Sequence, residues 1–193
     1  MDEKQFWLGM LEDQVNKCTK CVLCETRNKV VFSDGNPLSP IMIVGEAPGA
    51  DEDACGKPFV GRAGKLLDKW LQESGIAREN VFICNIIKCR PPGNRKPSAA
   101  EISSCIGFFE SQVEIIKPKA ILLLGSVALC TLFGKDLKIT ELRGTKLEYK
   151  GISAIPTFHP AYVLRQFSQE KNEAVLSDIK LAFSCTTEGN KNG

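Results

Sequence analysis

A chain of 193 residues, 43% hydrophobic and 25% charged with a formal net charge of +2, has the composition of one globular domain with a single core. That charge is too small to name a partner. No run approaches the roughly eighteen apolar residues of a membrane span, and the acidic, amphipathic start MDEKQFWLGMLED does not read as a secretory signal.

The opening segment to about Val15 reads as a short helix leading into Cys18-x2-Cys21. Residues 41–44 (IMIV) form a short buried-strand pattern, broken at once by Gly45 and Pro48. Leu66, Leu67, Trp70 and Leu71 recur at helical spacing across 63–74, and Gly75 is a C-terminal stop. A second strand is predicted over 81–84. Ser98 with Glu101 three residues on is a capping box that starts a helix running to about Ile116. Residues 120–124 make a third strand, closed by Gly125 before a helix to about Phe133. Residues 152–156 make a fourth, and 173–184 a last helix. Strands alternating with helices predict an α/β three-layer sandwich around a mainly parallel sheet, in one domain over 1–185. The small polar stretch 186–193 is expected to be disordered.

Ligands of such sheets bind at the carboxyl ends of the strands, where three unusual loops fall: 45–64, 85–97 and 157–165. The first carries Gly45, Glu46, Ala47, Pro48 and Gly49, then Asp51, Glu52 and Asp53. Its carboxylates either position a water or form an acidic surface turn. Further on, Phe59 stands between Pro58 and Gly61 and either presents its ring for stacking or tucks under its own loop. The glycines do not make a phosphate-binding P-loop. The second loop gathers Lys88, Arg90, Arg95 and Lys96 among prolines, suited to lying along phosphates or to plain solvation. Asn85 at its start can donate and accept together, as a base edge requires, or cap backbone. The third holds His159, the chain's one histidine, ahead of Pro160.

Nine cysteines without a secretory signal point to a reducing cytoplasm rather than to a disulfide framework. Cys18 and Cys21 with the distant Cys89 and Cys105 have the spacing of zinc or iron–sulfur ligands. Cys24 competes for the ligand set and ranks below Cys105. Cys84 and Cys130 fall in apolar runs and read as core.

Taken together the segments resemble the family 4 uracil-DNA glycosylases, the iron–sulfur branch of that superfamily. The likeness runs from about Cys18 to Arg165. It is carried by Cys18-x2-Cys21, Gly45-Glu46-Ala47-Pro48-Gly49 with Glu52-Asp53, Gly56-x-Pro58-Phe59-Val60-Gly61, Asn85-x3-Cys89-Arg90-Pro91-Pro92, Cys105, Leu142-Arg143-Gly144, and His159-Pro160 running to Arg165. The resemblance implies a four-stranded parallel sheet, a 4Fe-4S cluster on Cys18, Cys21, Cys89 and Cys105, and excision of uracil from DNA by a monomer. It implies that Phe59 stacks on the flipped base while Asn85 reads its edge. His159 would bond the uracil O2, and Glu46 would position water or stabilise the sugar cation. Gly45, Ala47, Pro48 and Gly49 would border the base, and Glu52 would guard its C5 side. Val163 or Leu164 would fill the vacated stack, with Lys88, Arg90, Arg95 and Arg165 on phosphate. Ala47 stands where the best-known uracil glycosylases carry a water-activating Asp. Asn94-Arg95-Lys96 lacks the histidine of a covalent-trapping relative. Two readings of other classes stand beside this one: a zinc-stabilised nucleic-acid-binding module and a nucleotide-binding electron carrier.

Overall fold

The computed structural model describes residues 2–187. Helix α1 (Glu3–Asn16) is capped by Asp2, whose carboxylate accepts from the Lys4 N–H. A 3₁₀ turn (Val22–Glu25) follows the first cysteine pair. Then come β1 (Asp34–Gly35), β2 (Ile41–Gly45), α2 (Ala50–Cys55), α3 (Arg62–Glu73), β3 (Phe82–Asn85) and α4 (Ala99–Ile116). The second half is β4 (Ala120–Leu124), α5 (Ser126–Phe133), α6 (Ile139–Leu142), β5 (Leu147–Tyr149), β6 (Ile152–Thr157), α7 (Pro160–Arg165) and α8 (Gln169–Thr187).

The six strands form one sheet in the order β1-β3-β2-β4-β6-β5. Its central four, β3-β2-β4-β6, are mutually parallel, and the two short edges are antiparallel. The expected four-stranded parallel sheet is therefore the core of a mixed one. Strands β2 and β4 are buried at every position, as parallel strands covered on both faces must be. Alternation divides their side chains between two cores. Met42, Val44, Phe82, Ile121 and Leu123 pack with α1 and α4. Ile41, Ile43, Ile83, Leu122 and Ile155 face Leu67, Trp70 and Leu71 of α3 and Val175, Ile179 and Ala182 of α8. Those two helical covers make the three layers.

Two helices lie in stretches expected as loops. Each is six residues long, too short for a periodicity, and is set by its ends. Helix α2 begins at Gly49 and stops at Gly56 in the left-handed region. Helix α7 begins with His159 as its cap and Pro160 at its first position. Helix α8 starts four residues earlier than expected and continues through Thr186 and Thr187, so that part of the expected tail is helical. Residues 188–193 lie outside the described residues. Among those described, no helix is long and apolar enough to cross a membrane.

Candidate active site

Gly45 closes β2 and Asn85 closes β3, and parallel register sets them side by side at the carboxyl end of the sheet. A Cβ on Gly45 would lie 2.4 Å from Asn85 Oδ1 and 2.5 Å from Phe59 Cζ, so only glycine lets the three meet. Asn85 is 2% exposed, and its Oδ1 is buried with no hydrogen-bond partner. Leaving such an acceptor unmet costs about 1–3 kcal/mol, a cost that a ligand donor would remove. The Asn85 main chain is pinned, because its carbonyl accepts from Lys88 Nζ at 2.7 Å.

Phe59 adopts φ +53°, a conformation uncommon for a bulky residue. Its surroundings impose it. Arg78 donates to the carbonyls of Pro58 and Phe59 at 2.7 and 3.2 Å while pairing with Asp34 and Asp68. Gly64 leaves room for the Phe59 carbonyl, which would sit 1.8 Å from a Cβ there. Replacing Arg78 with Ala is expected to destabilise the fold by roughly 2 kcal/mol, given several charged hydrogen bonds lost at once. A thermal melt checks this, and an unchanged melting curve would mean that the loop holds Phe59 unaided.

His159 caps α7 through Nδ1, which accepts from the Ala161 N–H at 3.1 Å. The proton therefore resides on Nε2, leaving a donor free. Burial, and then the charge of Arg165, push its pKa down to about 4, so the ring is neutral near pH 7. Its ring centroid is 5.9 Å from that of Phe59, at 37°. Gly125, at φ +90°, brings the turn after β4 against it: a Cβ there would be 2.9 Å from His159 Cβ. Behind it, Thr157 donates to Asp178, which also takes the Arg143 guanidinium. Arg143 in turn lies over the Phe158 ring at 5.7 Å. Arg78 and Asp178 were missed because their partners are remote in sequence. Arg143 stood out only as part of Leu142-Arg143-Gly144.

Glu46, directly after Gly45, is half-buried. Burial raises its pKa and the charge of Lys96 partly offsets that. Ala47 is half-buried and Pro48 buried in the same loop. Gly49 N–H bonds a Glu52 carboxylate oxygen at 3.1 Å.

Three expected contacts are corrected. Glu52 does not face a base: its oxygens are taken by the N–H groups of Gly49, Val60 and Gly61, so it shapes the loop. Lys88 does not face phosphate: it is fully buried and bonds the Asn85 carbonyl and Gln112. Val163 does not reach outward: it is core, whereas Leu164 is 45% exposed. Of the basic residues, Arg165 and Lys96 are exposed and Arg90 is half-buried. Arg95 is exposed yet bound at both nitrogens to Glu101, whose pKa falls to about 2 under that contact.

Away from this pocket, Cys18, Cys21, Cys24, Cys89 and Cys105 line one largely apolar cavity between the N-terminal segment and α4. Arg27 donates to the Cys18 carbonyl at 2.9 Å and to Cys89 Sγ at 3.3 Å. Burial pushes the Cys89 thiol up to about 11 and raises that of Cys105, with Arg27 and Lys88 respectively pulling back. Among the described residues, no three His, Cys, Asp or Glu are grouped to hold a metal ion. Asp53 ties this segment to the first loop by accepting from the backbone and side chain of Asn28.

The description "Uracil DNA glycosylase superfamily" matches residues 32–180. A Type-4 uracil-DNA glycosylase of Thermotoga maritima is 48% identical over 179 residues, 92% of this chain and 93% of that protein. One of Sulfurisphaera tokodaii is 43% identical over 166 residues, 81% of this chain and 76% of that protein. A Type-5 uracil-DNA glycosylase of Pyrobaculum aerophilum is 26% identical over 190 residues, 79% and 83% of the two chains. A match across most of the sheet and helices, with such identity over nearly the whole length, places the chain in the uracil DNA glycosylase superfamily, within its Type-4 branch.

Proposed function

We propose that this chain repairs DNA by flipping uracil into the pocket at the carboxyl end of the sheet and hydrolysing its N-glycosidic bond, leaving an abasic site. The observation that carries the reading is the buried, unpartnered Oδ1 of Asn85, set against Phe59 and Gly45. Uracil presents a donor at N3 and an acceptor at O4. Asn85 accepts from the first with Oδ1 and donates to the second with its amide NH₂. Cytosine presents the reverse pattern, and a site built for one set of polar partners rejects the other by about 10⁴-fold. Phe59 supplies the stacking face.

Bond breaking leaves negative charge on the uracil O2. The free Nε2–H of neutral His159 donates to it, and one such donor is worth about 10²–10³ in rate. Glu46 supplies a carboxylate beside the sugar, to orient water or to balance the developing cation. Flipping costs a few kcal/mol, least at a mismatch. Leu164 fills the vacated stack, and Arg165, Arg90 and Lys96 meet phosphate.

Five thiols lining one cavity, with Arg27 bonded to one of them to offset charge, suit an iron–sulfur cluster. Cys18, Cys21, Cys89 and Cys105 would hold a 4Fe-4S cluster, which supplies a cross-link between the N-terminal segment and the basic loop. Cys105→Ser is expected to bleach the visible absorbance of anaerobically purified protein while Cys24→Ser retains it. The opposite pattern would move Cys24 into the ligand set.

The test of the whole reading is a labelled duplex with one uracil, incubated with brown protein and treated with alkali. Cleavage at uracil is expected, and none with an intact chromophore overturns it.

A further inference from the structure

The loop after α7 carries the most exposed large apolar side chain of the described residues, Phe167, at 67% exposure. Exposing an aromatic on a frayed loop would mean little. This corner is built. Lys171 donates its amine to the Gln166 carbonyl at 2.9 Å, and its N–H bonds Ser168 Oγ at 3.2 Å. Asn172 N–H bonds the Ser168 carbonyl, while its side chain takes the Trp70 indole N–H from α3. The Lys171 ammonium also lies 5.1 Å above the Tyr162 ring. The backbone on both sides of Phe167 is thus anchored to the first turn of α8, which Asn172 ties to Trp70, and its ring is left in water.

The corner continues from the pocket. His159 caps α7, exposed Leu164 lies near its end, and Phe167 follows the helix directly. At 1.5 Å per helical residue, Leu164 is about 7–8 Å along α7 from His159, and Phe167 lies two residues past the helix end. Bases stack about 3.4 Å apart, so a side chain past the end of α7 would fall beyond the nucleotide next to the flipped one. Exposed Arg165 and the Lys171 amine flank the two apolar tips. Apolar tips between cations suit a surface that meets base stack and phosphate together.

Resting on the glycosylase reading above, we infer that Phe167 is a second apolar wedge. It stacks against duplex bases beyond the nucleotides next to the flipped uracil, while Leu164 fills the vacated slot. It does not touch the base that is cut, so it acts on duplex capture and not on bond breaking.

The test compares wild type, Phe167→Ala and Phe167→Trp on two substrates. One is a uracil-containing duplex. The other is a trinucleotide with central uracil, too short to reach from the pocket to this corner. Phe167→Ala is expected to lower kcat/KM on the duplex by about 5- to 100-fold, the range of a lost stacking contact. It should leave the trinucleotide unchanged, and Phe167→Trp should restore the duplex rate. With 2-aminopurine a few steps from the uracil in the duplex, wild type should change its fluorescence on binding and Phe167→Ala should not. Equal duplex kinetics for wild type and Phe167→Ala overturn the inference. So does an equal loss on both substrates, which would make Phe167 a support for the pocket. Wild type inactive on both substrates defeats instead the glycosylase reading.

Discussion

Asn85→Asp is expected to cut uracil excision by about 10³- to 10⁴-fold and to confer weak excision of cytosine. The Oδ1 that awaits a donor would become part of a carboxyl group. Ionised, it has no proton for O4 and sets a second negative charge beside the base as O2 becomes anionic. Protonated, it presents the donor that cytosine N3 accepts. The main-chain position would persist, because Lys88 bonds the Asn85 carbonyl and not its side chain. A thermal melt on the variant separates lost chemistry from lost fold. Uracil excision unchanged within twofold would remove Asn85 from the pocket.

His159→Ala is expected to lower kcat by about 10²- to 10³-fold while DNA affinity moves little. The same change deletes the cap of α7, at a cost of about 1 kcal/mol. His159→Asn restores a capping acceptor without placing a donor at the position of Nε2. Rate lost in both variants, with stability recovered only in the Asn variant, would separate the two roles of the ring. Affinity falling as far as rate would assign His159 to structure alone. The pH profile is a second check. With a folded pKa of about 4, the ring stays neutral from pH 8 down to about 5, so no step should appear at the ordinary histidine value near 6.5. An acid limb should instead follow Glu46, whose pKa burial raises. The unfolded chain protonates this histidine near 6.5 and the folded chain only near 4. Stability from this group is therefore present above 6.5 and falls as pH drops through that window.

The parallel core was legible because a strand covered on both faces must be apolar throughout, and 41–44 and 120–124 are. The edge strands were not, being two and three residues long and defined by pairing alone. The meeting of Phe59, Asn85 and His159 was expected from the resemblance of their motifs, since each alone allowed a plain structural role. Lys88 was misplaced because it was grouped with Arg90 and Arg95 by charge. Its neighbours Ile86, Ile87 and Cys89 were the better guide, since the whole stretch is buried. Glu52 was misplaced for a similar reason: an acidic run hides which member turns inward, and that depends on three N–H groups brought round by the loop.

The order of strands across the sheet has a consequence for synthesis. Growth from the ribosome proceeds from the amino end. β2, β3 and α4 leave first, carrying Gly45, Phe59, Asn85 and the last thiol of the cavity. His159 comes only after β6 has added to the far side of β4. The residues proposed to read the base therefore leave the ribosome before the histidine proposed to assist its release. The buckle of Thr157, Asp178 and Arg143 then waits for α8, the last helix described. On that reading, competence waits for α8.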